Sequence, residues 1–223
     1  MKLTISKEDY LKAIAEAEAE EGAVIAATIA RWVEVSAPAV ALALRRLRRD
    51  NLVKVDQKGR ISLTAAGRSI SEKLQLRHHL VERMLHELLG MEWYKVHDEA
   101  ERLEHAVSPD FEARLLAKLG RGVACPHGNL TEVESPASRR RRGLLLLSEA
   151  EVGKNYIVNG IYERDRRLLE FLEAQGIRPR AKLSLLQSNY DKTLSIRTNA
   201  RTVVLGRPAA DRVWVSPLRY RSS

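Results

Sequence analysis

Residues 97–105, with the sequence HDEAERLEH, constrain the fold most, because helical spacing puts two imidazoles and two carboxylates on one face. On an α-helix, His97, Glu101, Glu104 and His105 fall within roughly 100° of arc. At about 1.5 Å of rise per residue, His97 and His105 lie about 12 Å apart along the axis, whereas metal–ligand bonds measure about 2 Å. One ion cannot use both histidines, so the pattern predicts two metal sites.

A second helical run, LQLRHHLVERMLHELLG, supplies partners for His97. His78 and Glu82 are four residues apart in this run and share one helical face. His79 and His86 stay unassigned, because they lie off that face or lack a carboxylate partner. Any one of these side chains is ordinary on a solvated helix, but the combination on two helices indicates metal binding.

The N-terminal part of the chain predicts a winged helix-turn-helix. Ser6 starts a capping box, with Asp9 as its last member, and Ser36 is a good N-cap for a later helix that has Pro38 in its first turn. The segment LVKVDQKGRISLT alternates as two strands joined by a turn. The pattern places helices at about 6–20, 26–32 and 36–49 and the two strands within 52–64.

In a winged helix-turn-helix, the third helix enters the major groove of double-stranded DNA with its N-terminal residues against base edges. The residues expected there are mostly apolar, which favours contact with thymine methyls and readout of DNA shape: Ser36, Ala37, Pro38, Ala39 and Leu42. The residues expected at phosphates or in the minor groove are cationic: Arg45, Arg46, Arg48, Arg49, Lys58 and Arg60. Cations at a helix end also complement the helix dipole.

The formal net charge of +9 is spread unevenly. Residues 1–73 carry 13 Lys+Arg against 10 Asp+Glu, residues 74–136 carry 7 against 11, and residues 137–223 carry 18 against 8. The acidic middle suits cations, and the basic flanks suit a polyanion such as DNA. We expect a cytoplasmic protein without a membrane partner, since no apolar run reaches the length of a membrane span, the N-terminus lacks a signal peptide, and the single cysteine, Cys125, agrees with a reducing compartment.

The C-terminal third predicts a small β-barrel reached through a linker. Residues 131–143, TEVESPASRRRRG, combine Pro, Ser and arginines without periodicity and predict a mobile linker. Short strands then recur at regular intervals around one helix-like stretch, RRLLEFLEAQG. Just before the linker, Cys125 and His127 in CPHGN predict a structural turn rather than a zinc pair, because the chain has no second cysteine.

Several motifs together resemble those of a known family: EDYL, SAPAVALALRRLRRDNLV, LTAAGR, HHLVERML, GMEWYKVHDEAERLEH and CPHGN. The chain resembles the diphtheria toxin repressor family of metal-dependent transcriptional regulators. The resemblance implies a homodimer that binds an operator when a divalent cation is present and represses metal-uptake genes. It also implies a mainly α fold with small β: a winged helix-turn-helix domain (1–73), a helical metal-binding and dimerisation domain (74–130), the linker (131–143), and a C-terminal SH3-like barrel (144–223) similar to ferrous-transport accessory proteins of the FeoA type.

The resemblance further implies the metal ligands. The primary site would consist of Asp9, Glu101, Glu104 and His105. The ancillary site would consist of His78, Glu82 and His97, with a carboxylate from the last domain. Asp165 is the nearest match for that carboxylate, and Glu163 is the alternative.

Three positions where this chain departs from the family pattern indicate which metal it binds. Iron-responsive members have Met and Cys where this chain has Asp9 and Glu101, and carboxylates suit Mn²⁺ better than soft sulfur does. The chain therefore resembles the manganese-responsive branch, with Fe²⁺ and other divalent transition metals as further candidates in vitro. Short two-domain manganese regulators have a glutamate where Lys12 stands, so their closely spaced ion pair is not expected here.

Three alternatives compete with a manganese-dependent regulator. The first two are an iron-responsive regulator of the same family and a metal-independent winged-helix regulator whose middle domain only dimerises. An enzyme with a small-molecule substrate is not expected, because hydrolytic metal sites need an open position and a base, and the HExxH pattern of zinc proteases is absent.

Overall fold

The DNA-binding domain forms at the N-terminus as the sequence predicts. A computed structural model describes residues 5–199 and 201–218, so the outermost residues of the first and last predicted domains lie outside the described part. The first elements are α1 (Ile5–Glu21), α2 (Ala26–Trp32), α3 (Ala37–Arg49), β1 (Val53–Val55) and β2 (Ile61–Leu63). The two strands pair antiparallel, with Val53 opposite Leu63. Leu11 and Ile14 of α1 are fully buried and pack in one core with Val40 and Leu47 of α3.

The start of α1 differs from the prediction. The chain is already helical at Ile5, so Ser6 lies inside α1 and is not its N-cap. A capping box requires the serine to stand just outside the first turn. Asp9 therefore has no capping role, and its side chain lies beside His105 of the middle domain.

The middle domain consists of helices that continue directly from the DNA-binding domain. Its elements are α4 (Ala65–Arg83), a π-helical turn (Met84–Leu88), α5 (Val96–Leu103), a 3-10 turn (Glu104–Ala106) and α6 (Pro109–Leu119). Thr64 caps α4 by accepting a hydrogen bond from the Gly67 amide at 3.1 Å. The predicted boundary between residues 73 and 74 falls inside α4, so one helix of 19 residues joins the two domains.

The C-terminal domain is built on an antiparallel sheet of six strands. It is preceded by α7 (Pro136–Arg141), and its elements are β3 (Leu145–Leu146), a 3-10 turn (Leu147–Glu149), β4 (Asn155–Ile161), α8 (Arg166–Ala174), β5 (Lys182–Ser188), β6 (Leu194–Arg197), β7 (Thr202–Leu205), α9 (Arg207–Ala210) and β8 (Val213–Pro217). The strand order in the sheet is β3-β8-β4-β5-β6-β7. The predicted helix-like stretch forms α8. The sheet and α8 enclose the largest buried apolar cluster of the described residues.

The arginine-rich segment is ordered, which corrects the expectation of a mobile linker. Ser135 caps α7 by accepting a hydrogen bond from the Ser138 amide at 3.1 Å. Arg140 pairs with Glu149 at 2.7 Å, and the guanidinium groups of Arg139 and Arg140 stack over the Trp214 ring. The sequence pattern could not show this, because these partners come from other parts of the chain.

The C-terminal domain packs against the middle domain through a buried tryptophan and the CPHGN segment. Trp93, from the segment before α5, is buried in the core of the C-terminal domain and donates a hydrogen bond from Nε1 to Glu173 at 2.7 Å. Gly128 has a φ of +86°, and a Cβ there would overlap the carbonyl oxygen of Asn159 in β4. The Ile161 amide donates to the His127 carbonyl at 3.0 Å. The CPHGN segment therefore lies directly against β4.

Within residues 5–199 and 201–218, no single helix has the length and apolar character needed to span a membrane. The pair α2 and α3, bent by 110°, satisfies that criterion only when its two helices are counted together.

We predict that Gly67→Ala destabilises the protein, although Gly→Ala in an ordinary helix stabilises by about 1 kcal/mol. A Cβ at Gly67 would overlap the carbonyl oxygen of Leu52, which accepts a hydrogen bond from the Thr64 amide at 3.0 Å. Overpacking of this kind costs about 1–3 kcal/mol. Thermal unfolding should show a lower Tm than wild type, whereas Ser69→Ala, at an exposed position of α4, should not. An increase in Tm for Gly67→Ala would contradict this packing.

Candidate metal centres

A first group of possible ligands joins the DNA-binding domain to the middle domain. Asp9 of α1 meets Glu104 and His105 of the 3-10 turn, and one ligand atom from each lies within 4.8 Å of the others. We call these three residues the primary cluster. His105 Nε2 lies 2.8 Å from Asp9 Oδ1 and 3.6 Å from Glu104 Oε1. Burial raises the pKa of the Asp9 carboxyl, although the charge and hydrogen bond of His105 lower it. Carboxylate and imidazole donors that lie this close to one another fit a divalent cation.

His105 is oriented by a second carboxylate. Its Nδ1 lies 3.0 Å from Glu8 Oε2, on the opposite side of the ring from Asp9. Carboxylates in this position hold metal-binding imidazoles in one tautomer and orientation. The sequence prediction did not single out Glu8.

Glu101, the fourth predicted primary ligand, is turned toward Lys12. The Lys12 side chain is 4% exposed, and its Nζ lies 2.8 Å from Glu101 Oε1 and 3.0 Å from Glu104 Oε2. It also lies 3.0 Å from His78 Nδ1. Burial alone would raise the pKa of the Glu101 carboxyl, but Lys12 and His78 outweigh burial and hold this pKa at about 2. The ammonium group thus supplies positive charge where Glu101, Glu104 and His78 converge.

A second group lies deeper, between α4, α5 and the C-terminal domain. We call its members the ancillary cluster: His78, Glu82, His97 and Glu163. His78 Nε2 lies 3.1 Å from Glu82 Oε1 and 3.1 Å from His97 Nδ1. Glu82 has no solvent exposure. Burial alone would raise its pKa, but the charges of His78 and His127 hold the pKa of Glu82 well below its ordinary value.

The two clusters touch through His78. Its Nδ1 lies 2.6 Å from Glu104 Oε2, while its Nε2 faces Glu82. Burial and Lys12 lower the pKa of His78, but the surrounding carboxylates outweigh them and raise it to about 10. One imidazole therefore bridges the two buried carboxylates.

The carboxylate from the C-terminal domain is Glu163 in this geometry, which corrects the choice of Asp165. Asp165 caps α8, accepting a hydrogen bond from the Leu168 amide at 3.0 Å, and its side chain is used there. Glu163 lies before α8 and faces the ancillary cluster, where Asn129 Nδ2 donates to Glu163 Oε2 at 2.6 Å. The spacing of acids along the sequence could not distinguish a capping residue from an inward-facing one.

Cys125 and His127 belong to the predicted turn, where the Gly128 amide donates to the Cys125 carbonyl at 2.8 Å, and they also lie beside the ancillary cluster. His127 Nδ1 lies 3.3 Å from Glu82 Oε1 and 3.5 Å from Glu163 Oε2. Cys125 Sγ lies 3.6 Å from Glu163 Oε2. With one ligand atom each, His79, Cys125, Glu82 and Glu163 also approach one another within 4.8 Å. In the sequence, the Cys-x-His spacing is the signal that points to this proximity.

Buried polar atoms near the ancillary cluster support its fit to a cation. Glu82 Oε2, His127 Nε2 and His79 Nδ1 are buried without a hydrogen-bond partner. A buried polar atom of this kind normally has a partner, and its lack is costly. Carboxylate and imidazole donors around such atoms fit a divalent transition metal. His86 takes no part, because its Nδ1 lies 2.8 Å from the Met91 carbonyl oxygen.

Most of the predicted DNA-contacting residues are exposed in the winged helix-turn-helix. Ser36, Ala37 and Pro38 are exposed at the start of α3, Ala39 is half-buried, and Leu42 is 42% exposed. The cationic residues are also exposed: Arg45, Arg46, Arg48, Arg49, Lys58 and Arg60. Arg60 pairs with Asp56 at 2.7 Å across the turn between β1 and β2. The structure thus leaves these side chains accessible to a large partner.

Family models match the three parts of the chain in order. Residues 2–61 match the iron dependent repressor N-terminal DNA binding domain, and residues 64–131 match the iron dependent repressor metal binding and dimerisation domain. Residues 145–217 match the FeoA domain. The matches agree with the order of the three structural parts.

Individual proteins are similar over most of the chain. The iron-dependent repressor IdeR of Mycobacterium leprae is 30% identical over 96% of this chain and 97% of its own length. A diphtheria toxin repressor of Corynebacterium glutamicum is 34% identical over 78% of this chain and 81% of its own length.

Solved structures show the same architecture. A structure described as a manganese-dependent transcriptional repressor in complex with manganese has a TM-score of 0.83 and 32% identity, covering 95% of this chain and 100% of that one. A structure of ScaR with bound Zn²⁺ has a TM-score of 0.77 and 30% identity, covering 95% and 99%. With its three matched domains and its full-length similarity to IdeR, the chain belongs to the iron-dependent repressor family, which includes the diphtheria toxin repressor.

Proposed function

We propose that this protein is a transcriptional repressor that binds operator DNA as a homodimer when a divalent cation, Mn²⁺, is present. The observation that carries the proposal is the meeting of Asp9, on the first helix of the DNA-binding domain, with Glu104 and His105 of the middle domain. Ligands from two domains make the orientation of the DNA-binding domain depend on the cation. Membership of a family of metal-dependent repressors supports the same reading.

The donor set favours Mn²⁺. The primary cluster offers carboxylate oxygens and an imidazole, with no sulfur, and Glu101 adds a further carboxylate beside it. Hard oxygen donors suit Mn²⁺, whereas thiolate and thioether donors select softer metals. Because a relative is named an iron-dependent repressor, Fe²⁺ is the cation to compare with Mn²⁺. The iron-responsive alternative is therefore tested by titrating both metals.

Metal binding would act on DNA affinity through orientation. When bound, the cation supplies the positive charge that allows Asp9 and Glu104 to converge. Asp9 then holds α1 against the middle domain. Because α1 and α3 share one apolar core, fixing α1 also fixes the position of α3. In a dimer, two α3 helices held about 34 Å apart meet successive major grooves. By linkage, DNA raises metal affinity by the same factor.

The middle domain is the proposed dimer surface. Its own buried apolar clusters are small, with Val81, Leu85 and Val96 in one and Leu80 and Leu115 in the other. Apolar side chains on its helical surface are left exposed, including Leu89 at 68% and Phe111 at 41%. A small core beside exposed apolar side chains is typical of a surface that a second subunit covers.

We predict Mn²⁺-dependent binding to a duplex with two half-sites. A duplex is first selected from a random 30-base-pair library with Mn²⁺, and its affinity is then measured by fluorescence anisotropy with Mn²⁺, with Fe²⁺ under anoxic conditions, and with EDTA. Footprinting should show two protected half-sites about 10 base pairs apart. Glu104→Gln should lose most of the Mn²⁺ effect, because Glu104 belongs to the primary cluster.

The matched control is Glu99→Gln, which removes a carboxylate of α5 that pairs with Arg102 at 2.7 Å outside both clusters. It should retain the wild-type response. Equal binding with Mn²⁺ and with EDTA in the wild type would reject the proposal in favour of a metal-independent regulator.

We predict two Mn²⁺ ions per chain, measured by mass spectrometry of metal content after equilibrium dialysis. Asp9→Asn should remove the ion of the primary cluster, and Glu163→Gln should remove the ion of the ancillary cluster, leaving one ion in each case. Asp165→Asn should retain two, because Asp165 caps α8. A loss of one ion in Asp165→Asn but not in Glu163→Gln would show that the assignment is reversed.

We predict that Lys12→Met destabilises the metal-free protein more than the Mn²⁺-bound protein. Loss of the ammonium removes the buried cation that Glu101 and Glu104 share, and breaking a buried ion pair costs about 3–5 kcal/mol. Mn²⁺ should recover part of the lost Tm by replacing that charge. Lys73→Met, at an exposed position of α4, serves as the control. An equal loss of Tm with and without Mn²⁺ would show that Mn²⁺ does not replace the charge of Lys12.

A further inference from the structure

One face of α1 carries four charged residues that contact the other two domains. Asp9, Lys12, Glu16 and Glu20 follow one another at intervals of three and four residues, so they form a stripe along the helix. The N-terminal half of this stripe contacts the middle domain, through Asp9 and Lys12. The C-terminal half contacts the C-terminal part of the chain, where Glu16 pairs with Arg164 and Glu20 lies 3.9 Å from Arg139.

Arg164 makes two contacts with the DNA-binding domain. Its guanidinium forms an ion pair with Glu16 of α1 and stacks over the ring of Trp32, with 5.2 Å between Cζ and the ring centroid. The side chains of Arg164 and Glu16 are 26% and 13% exposed, so the pair is largely shielded from solvent. Trp32 is the last residue of α2, and its Nε1 donates a hydrogen bond to Glu21 at 2.7 Å. Arg164 therefore touches the two helices that precede α3.

Arg164 is itself held in place by the domain that carries it. It follows Glu163 of the ancillary cluster directly in the chain. The C-terminal domain is fixed to the middle domain by the buried Trp93, which donates to Glu173 at 2.7 Å, and by the hydrogen bond from the Ile161 amide to the His127 carbonyl at 3.0 Å. Arg164 thus contacts the DNA-binding domain from a domain whose position relative to the middle domain is fixed.

We propose that Arg164 is a positioning residue for DNA binding, which holds α1 and α2 at a second point so that the metal centre sets the orientation of α3. The reason is geometric. Asp9 and Lys12 attach only the N-terminal half of α1 to the middle domain, so the direction of the helix axis also depends on contacts further along the helix. Glu16 lies seven residues beyond Asp9, which is about 10 Å along the helix. Attachment at both ends of that interval fixes the direction of the helix axis.

The inference rests on the proposed metal-dependent DNA binding. It gives the C-terminal domain a role in positioning the DNA-binding domain. That domain does more than donate Glu163 to the ancillary cluster. Through Arg164, it contacts the DNA-binding domain directly, by way of Glu16 and Trp32.

The test compares Arg164→Gln with Arg166→Gln in the full-length protein. Both variants remove one arginine of the same domain, but Arg166 pairs with Asp98 of the middle domain and with Glu170 of its own helix. The probe is the duplex selected with Mn²⁺, and its Kd is measured by anisotropy in saturating Mn²⁺ and in EDTA. Metal content and Tm are measured on the same samples.

Arg164→Gln should weaken Mn²⁺-dependent binding about tenfold, a typical size for coupling between sites, and leave binding in EDTA unchanged. It should retain the wild-type metal content. This result would distinguish a positioning role of Arg164 from the loss of a metal ligand. Arg166→Gln should stay within about twofold of wild type, as expected for an exposed ion pair. Glu16→Gln should reproduce the loss, and the double variant with Arg164→Gln should be no worse than either single variant.

Three results would overturn the proposal: equal Kd values for Arg164→Gln and Arg166→Gln in Mn²⁺, additive losses in the double variant, or tighter binding of Arg164→Gln in EDTA. The last result would mean that the contact holds the DNA-binding domain away from DNA. Failure of the proposed function looks different, because the wild type itself would then show no response to Mn²⁺.

Discussion

Two glutamates without solvent exposure, Glu82 and Glu104, are the constraint on which the arrangement of the domains depends. A buried carboxylate is costly unless cations and hydrogen-bond donors surround it. Here those groups come from distant segments of the chain: Lys12 from the DNA-binding domain, and His78 and His127 from the middle domain. Glu163 of the C-terminal domain in turn lies 3.5 Å from His127. The three domains therefore meet where the charge must be compensated. A divalent cation would bring the same kind of compensation, which is the basis of the proposed coupling between domain arrangement and metal binding.

The sequence predicted the elements well where the signal was local. The limits of α2 agree with the prediction, and α3 and the two strands of the wing follow it closely. Ser36 occupies the N-cap position of α3 as predicted, but its side chain makes no capping hydrogen bond. Helical periodicity also identified His78 and Glu82 as one face and separated His97 from His105. These predictions succeed because each depends on residues within a few turns of one another.

The predictions that failed required knowledge of distant partners. The arginine run forms α7 against Glu149 and Trp214, which no local pattern shows. Asp165 and Glu163 are two residues apart, and only the position of α8 decides which one caps a helix and which one faces the ancillary cluster. The contact of Lys12 with Glu104 links residues 92 positions apart. Such side chains can be proposed as charged or metal-binding from the sequence, but their partners follow from the tertiary packing.

The burial of Trp93 also determines how this chain can be divided. Its indole belongs to the core of a domain whose first strand begins more than fifty residues later, at Leu145. During synthesis, that indole has no complete apolar surroundings until β8 has left the ribosome. A fragment that ends before β3 would present the ring to water, so truncation in the arginine-rich segment would remove the apolar surroundings of an indole that the middle segment carries.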